Sequence, residues 1–203
     1  MTAFENALNL ARDTTEYLEE RCFEGETVER ADASRMEFKN VTFRGCRFEN
    51  CSFSWASFYE CVFEDCYFSV CDLSDSFLRN VRVSACKWEG LSFSAAHIRD
   101  SVFAGSSLCY STFHKNVWER VKLVDCAMRE ASLSETRLKA VSFEKVDFTG
   151  TDFFKTPLKG LDFSTCEIGG IALSEGCVEL RGAKIRAEQS IGLVKMLGIR
   201  IVD

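Results

Sequence analysis

Phe38-Lys39-Asn40-Val41-Thr42-Phe43-Arg44-Gly45-Cys46-Arg47-Phe48-Glu49-Asn50-Cys51-Ser52-Phe53 decides the fold. A phenylalanine returns every fifth residue, and two positions before each one stands a smaller residue: Met36, Val41, Cys46, Cys51. Followed outward, the frame does not slip. From Phe38 to Leu173, 28 consecutive fifth residues are Phe, Leu, Ile, Val, Trp or Met. The smaller register runs beside it from Met36 to Ile171, mostly as Cys, Ala, Val, Ser and Thr. The other three positions are largely polar. Residues two apart on an extended chain share a face, so each group of five is a short strand that turns one large and one small residue inward. A period of five fits neither a heptad nor a 3.6-residue helix. Internal repetition of this kind marks an all-β solenoid, in which each repeat buries its apolar face only against its neighbours.

The inner register also accounts for the composition. The chain has 203 residues, 18 Phe, 11 Cys and a single proline. Eight cysteines (46, 51, 61, 66, 71, 86, 126, 166) fall on the small inward position, where a thiol behaves as a small buried hydrophobe; Cys22, Cys109 and Cys177 do not. Spacings in multiples of five are not the paired spacing of zinc ligands, and only His97 and His114 are available to join them. An odd thiol count without an export signal also argues against a disulfide framework. Neither metal nor cofactor is expected. Cys109 falls on an outward position and is the thiol to test for reactivity. Asn116 falls on an inward one, where its amide needs backbone or water partners. Pro157 lacks an N–H, so a ladder bond should be missing there. An unbroken frame predicts a rod without large loops.

The ends depart from the repeat. Thr2-Ala3-Phe4-Glu5 is a capping box, and Phe4, Ala7, Leu8, Ala11 and Leu18 form a helically spaced stripe. Residues 1–21 are therefore expected to be a capping helix, 22–180 the rod, and 181–203 a second cap. In the last segment Ala187 to Leu197 spaces Ile191, Val194 and Leu197 along one helix face, and Gly198 suits the C′ position. Ile199-Arg200-Ile201-Val202 then alternates like a strand. Caps are needed because an open solenoid exposes strand edges at both ends.

The repeat resembles the pentapeptide-repeat family, whose motif is a small residue, a polar one, Leu or Phe, and two variable residues; Cys46-Arg47-Phe48-Glu49-Asn50 and Thr151-Asp152-Phe153-Phe154-Lys155 are examples. The resemblance implies a right-handed quadrilateral β-helix with four repeats per coil, so residues twenty apart should stack. Leu197-Gly198-Ile199-Arg200-Ile201-Val202 and Leu158-Lys159-Gly160-Leu161-Asp162-Phe163-Ser164 are similar to stretches of the Qnr- and MfpA-type members, including Qnr-like relatives from Gram-positive bacteria. That resemblance implies a homodimer through the C-terminal segment, with Ile191, Val194, Leu197, Ile199 and Ile201 at the interface. It also implies a rod that imitates DNA, binds a type II topoisomerase (DNA gyrase or topoisomerase IV) and modulates it or protects it from quinolones.

The net charge of −6 argues against direct nucleic-acid binding, which needs a surplus of Lys and Arg. No apolar run approaches the roughly 20 residues of a membrane span, and a cytoplasmic protein is expected. Two isolated histidines, no phosphate-binding glycine loop and a packed core give no basis for catalysis. Between Arg47 and Arg79 the sequence has no basic residue, while Glu60, Glu64, Asp65, Asp72 and Asp75 lie among the outward aromatics Trp55, Tyr59, Tyr67 and Phe77. These nine residues are the candidate partner patch; a solvated face with incidental aromatics explains them equally. The alternative function is a scaffold for a different protein partner.

Overall fold

The computed structural model describes residues 1–14, 17–200 and 202. The strands are three residues long, and each pairs in parallel with the strand twenty residues on: Leu18 lies against Phe38, Phe38 against Phe58, Phe43 against Phe63 and Phe48 against Phe68. Four ladders result, one per side of the rod. Face one runs from Tyr17–Glu19 to Arg137–Lys139 and face two from Cys22–Glu24 to Ser142–Glu144, seven strands each. Face three carries four strands, from Thr27–Glu29 to Lys87–Glu89, and continues as single bridges to Glu167. Face four consists only of single bridges, from Asp32↔Ser52 to Asp152↔Ala172. The fold is the expected four-sided parallel β-solenoid.

The sides meet because every fifth residue from Glu20 to Gly160 has positive φ. This left-handed conformation turns the chain at each corner. Most corners carry Asn, Asp or Gly, which tolerate it best, or else a long polar residue. Val70, at φ 51°, is the β-branched residue among them and is strained.

Of the 28 large residues in the frame, all but Leu138 and Leu173 are buried. The phenylalanines stack between coils, as in Phe38–Phe58 (4.8 Å, 7° between planes) and Phe43–Phe63 (4.9 Å, 9°). They meet edge-on within a coil, as in Phe43–Phe48 (5.6 Å, 80°). Both geometries suit the ring quadrupole. The eight expected cysteines are indeed buried and free. Six of their thiols point at backbone carbonyls of the preceding coil, Cys61 Sγ to Phe38 O at 3.4 Å for example, and burial pushes the Cys61 thiol up to about 11.

Four inward hydroxyls follow one bonding rule, while Thr136 and Thr151 only donate and Ser76 Oγ has no partner. Ser101, Ser106, Ser111 and Thr156 each accept the N–H of the residue twenty earlier, at 2.9–3.2 Å, and donate to a nearby carbonyl. Asn116 keeps half of this rule. Its Oδ1 accepts the Ala96 N–H at 2.8 Å, but its buried Nδ2 has no partner.

Helix α1 (Ala3–Thr14) closes the first end. Its capping box forms: Thr2 N–H donates to Glu5 Oε2 at 2.6 Å, and Glu5 N–H to Thr2 Oγ1 at 3.1 Å. Phe4 is fully buried edge-on to Phe23 and Phe48 (5.3 and 5.4 Å), plugging the core. Leu18 is not part of this helix. It is the inward residue of the first strand, so the coil begins at Tyr17 rather than at residue 22, and the helical spacing of Leu18 is incidental.

The far end holds two departures. At Pro157 no bridge forms, and face one's ladder stops at Arg137–Lys139, as the missing N–H requires. After Leu173 two residues are inserted: Asp162 pairs with Lys184, a step of 22, across the short 3₁₀ turn Val178–Leu180. The coil thus reaches beyond residue 180. Helix α2 (Ala187–Met196) follows, with Gly198 at φ 73° past its end. Gln189 Nε2 donates to Phe163 O and Cys166 O (3.0 and 2.7 Å), closing the open carbonyl edge. Ile199 and Arg200 form no strand; Ile201 lies outside the described residues.

Candidate interaction surfaces

The nine patch residues fall within neighbouring coils, but they encircle the rod. Tyr59, Glu60 and Phe77 belong to face one, where the Tyr59 and Phe77 rings lie 5.6 Å apart. Trp55 and Asp75 are corner residues where face four meets face one, and Trp55 is 58% exposed. Glu64 and Asp65 lie on face two, Tyr67 on face three and Asp72 on face four. A flat partner on face one therefore meets Trp55, Tyr59, Glu60, Asp75 and Phe77 together and misses the other four.

Stacking also fills the gap in basic residues. Arg44 reaches both Glu24 and Glu64 (2.8 and 2.9 Å), and the Arg47 guanidinium covers the Tyr67 ring at 4.3 Å. A charge-free interval in sequence is not one in space when residues twenty apart are neighbours. At whole-rod scale the asymmetry survives: residues 17–75 carry 13 acids and 6 bases, whereas residues 76–175 carry 12 and 13. The acidic character belongs to the first coils.

Face four is different in kind. Ser52, Ser54, Ser74, Ser92, Ser94, Thr112, Ser132 and Ser134 line it with short hydroxyls, some bonded to each other, such as Ser74 to Ser92 at 2.6 Å. His114 belongs to this face, half-buried, with Nδ1 2.9 Å from Ser134 Oγ; His97 is exposed on face one. Among the described residues no group of three His, Cys, Asp or Glu is placed to hold a metal ion. No described helix is long and apolar enough to cross a membrane.

Cys109 is buried, contrary to its outward position, because face three changes at this level from strand to tight turn and Arg129 from the next coil lies against the thiol. Cys22 is the exposed thiol instead, and its pKa is raised by partial burial and the neighbouring Glu24 carboxylate, which disfavours the reactive thiolate.

On α2, Leu193 packs against the core, while Ile191, Leu197 and Ile199 are each 52% exposed and Val194 is half-buried. Of the predicted interface residues, Ile191, Leu197 and Ile199 are thus exposed apolar side chains at the tip of the rod, and Ile201 lies outside the described residues.

The family model for the pentapeptide repeat region matches residues 36–113 and 96–173. The chain is a member of the pentapeptide-repeat family. Among solved structures it is similar to QnrB1, described as a plasmid-mediated fluoroquinolone resistance protein (19% identity, 92% of this chain and 99% of that one, TM-score 0.41). It is also similar to HetL, involved in heterocyst differentiation regulation in the cyanobacterium Nostoc (13%, 91% and 94%, 0.39), and to a thylakoid-lumen protein of Arabidopsis thaliana (19%, 73% and 73%, 0.27). At these identities the likeness extends to the repeat fold alone. No curated protein sequence matches the chain.

Proposed function

We propose that this protein is a non-enzymatic binding rod of the Qnr-like kind, which engages a type II topoisomerase, DNA gyrase or topoisomerase IV, and modulates it or protects it from quinolones. The observation that carries the proposal is the acidic first part of the rod, 13 acids against 6 bases over residues 17–75, arrayed on a rigid β-scaffold. Regularly spaced carboxylates on a narrow rod offer a DNA-binding groove the charge it evolved to receive. The near balance of charge beyond residue 75 confines the mimicry to that end. It also favours the second reading, a scaffold for a different protein partner.

The apolar tip of α2 supports a homodimer through the C-terminal end, leaving the acidic ends free and outermost. Immobilised gyrase titrated with the full-length protein tests the proposal. Submicromolar to micromolar binding is expected, weakened at least tenfold by Glu60→Lys, Glu64→Lys and Asp65→Lys together. No binding at tens of micromolar excludes the topoisomerase and leaves the scaffold reading.

A further inference from the structure

Face one is polarised along its length, and the other faces are not. Over residues 17–60 its outward positions hold Glu19, Glu20, Glu37 and Glu60 against Lys39, net −3. Over residues 77–160 they hold Arg79, Arg99, Arg120, Arg137, Lys139 and Lys159 against Asp100 and Glu119, net +4. Each half of faces two, three and four lies between −2 and 0.

Pairing within the face sharpens the contrast. The charges in the middle neutralise one another: Arg120 bonds Asp100 and Glu119, and Lys139 Nζ is 3.2 Å from Glu119. Elsewhere, apart from Glu37 with Lys39 (2.5 Å), they do not. Glu19 and Glu20 at one end, Glu60 and Arg79 on adjacent coils, and Arg137 and Lys159 toward the other end are exposed and make no ion pair among the described residues. Glu19 and Lys159 are seven coil rises apart, about 34 Å. That is several times the ~8 Å screening length in physiological salt, so the poles do not satisfy each other within one molecule.

We infer that face one is a docking surface for a second copy of this chain, laid antiparallel so that the acidic end of each copy meets the basic end of the other. A two-fold axis in the plane of the face, across the rod, achieves this, because an isologous contact is satisfied by a surface that carries its own complement. It brings Glu19 and Glu20 to Lys159, Glu37 to Arg137 and Glu60 to Arg120, which outweigh the like pairs Lys39 with Lys139 and Arg79 with Arg99. The half-exposed Tyr59, Phe77 and Val117 sit between the poles and supply the apolar centre. A strip about 34 Å long and about 12 Å wide offers about 400 Å² per copy, half the ~800 Å² of a standard interface. The association is accordingly weak, fast and salt-dependent. It is separate from the α2 tip and does not rest on topoisomerase binding.

The test uses the full chain carrying Leu197→Asp, so that contacts through the tip are silenced, in sedimentation velocity at 100 µM. A monomer–dimer equilibrium is expected at 25 mM NaCl and monomer at 500 mM. Arg137→Glu with Lys159→Glu brings the basic half from net +4 to 0, and Glu19→Lys with Glu20→Lys brings the acidic half from −3 to +1. Each variant, its fold checked by circular dichroism, should self-associate at least tenfold more weakly, and an equimolar mixture should recover a dimer. Self-association that survives either reversal, or a mixture that stays monomeric, overturns the inference. So does a parent protein that is monomeric at low salt, and binding of fluorescein-labelled poly-glutamate by that monomer would reassign the basic end to an acidic protein partner.

Discussion

Asn116→Thr should make the rod more stable. Asn116 is fully buried; its Oδ1 satisfies the Ala96 N–H, while its Nδ2 meets no acceptor. Threonine occupies the same stacked column at 136 and 156, where Thr156 Oγ1 accepts the Thr136 N–H at 2.9 Å and donates to Leu133 O. By the same geometry a threonine at 116 would accept from Ala96 and donate to Phe93 O. The substitution keeps the acceptor, removes the orphaned donor and nearly conserves volume. A buried unsatisfied donor costs about 1–3 kcal/mol, and some of that returns as small packing losses, leaving a gain of about 1–2 kcal/mol. For a chain of this size that is a rise in Tm of about 2–8 °C. Asn116→Ala tests the other half of the bond: it leaves the Ala96 N–H only its 3.0 Å turn bond to Phe93 O and opens a cavity, so it should cost about 1–3 kcal/mol. Thermal unfolding followed by circular dichroism, with hydrogen exchange at the Ala96 amide, measures both. If Asn116→Thr lowers Tm, or if Asn116→Ala leaves it unchanged, the bonding rule is wrong.

Three further outcomes follow from the same geometry. Val70→Gly relieves a β-branched residue at a left-handed corner and should stabilise by about 1 kcal/mol in urea unfolding. Glu179 is buried at the C-terminal coil; burial raises its pKa, but hydrogen bonds from the Ser174 and Lys155 N–H groups outweigh this and hold it below the usual value. Because the folded carboxyl releases its proton more readily than the unfolded one, its contribution is complete above about pH 5 and fades as pH falls through the folded pKa; Glu179→Gln should flatten the stability profile in that acid range. Light scattering should give a dimer for wild type at moderate salt and a monomer for Leu197→Asp; a wild-type monomer removes the tip interface.

The large inward residues could be read directly because one side chain, Phe or its substitutes, repeats at a spacing no other architecture uses. The coil of twenty was then enough to place the stacked cysteines and to anticipate the missing bond at Pro157. Cys109 falls on an outward position of the repeat, but the switch from strand to tight turn on face three lets Arg129 cover it. Phe4, Leu8, Ala11 and Leu18 also satisfy a helical spacing, and only the pairing of Leu18 with Phe38 separates helix from strand there. Along the chain Glu60, Glu64, Asp72 and Asp75 of the candidate patch are close. In the solenoid, nearness runs along columns of twenty, so Arg44 and Arg47 neutralise or cover two of its members. Written in rows of twenty, the sequence would have shown the polarity of face one and the hydroxyls of face four.

Gyrase supercoiling with the purified protein, with and without a fluoroquinolone, tests the central functional claim most directly. The account predicts that micromolar protein either restores supercoiling in the presence of drug or inhibits it in the absence of drug, and that the Glu60, Glu64 and Asp65 reversals abolish the effect. Supercoiling unchanged under both conditions would contradict it.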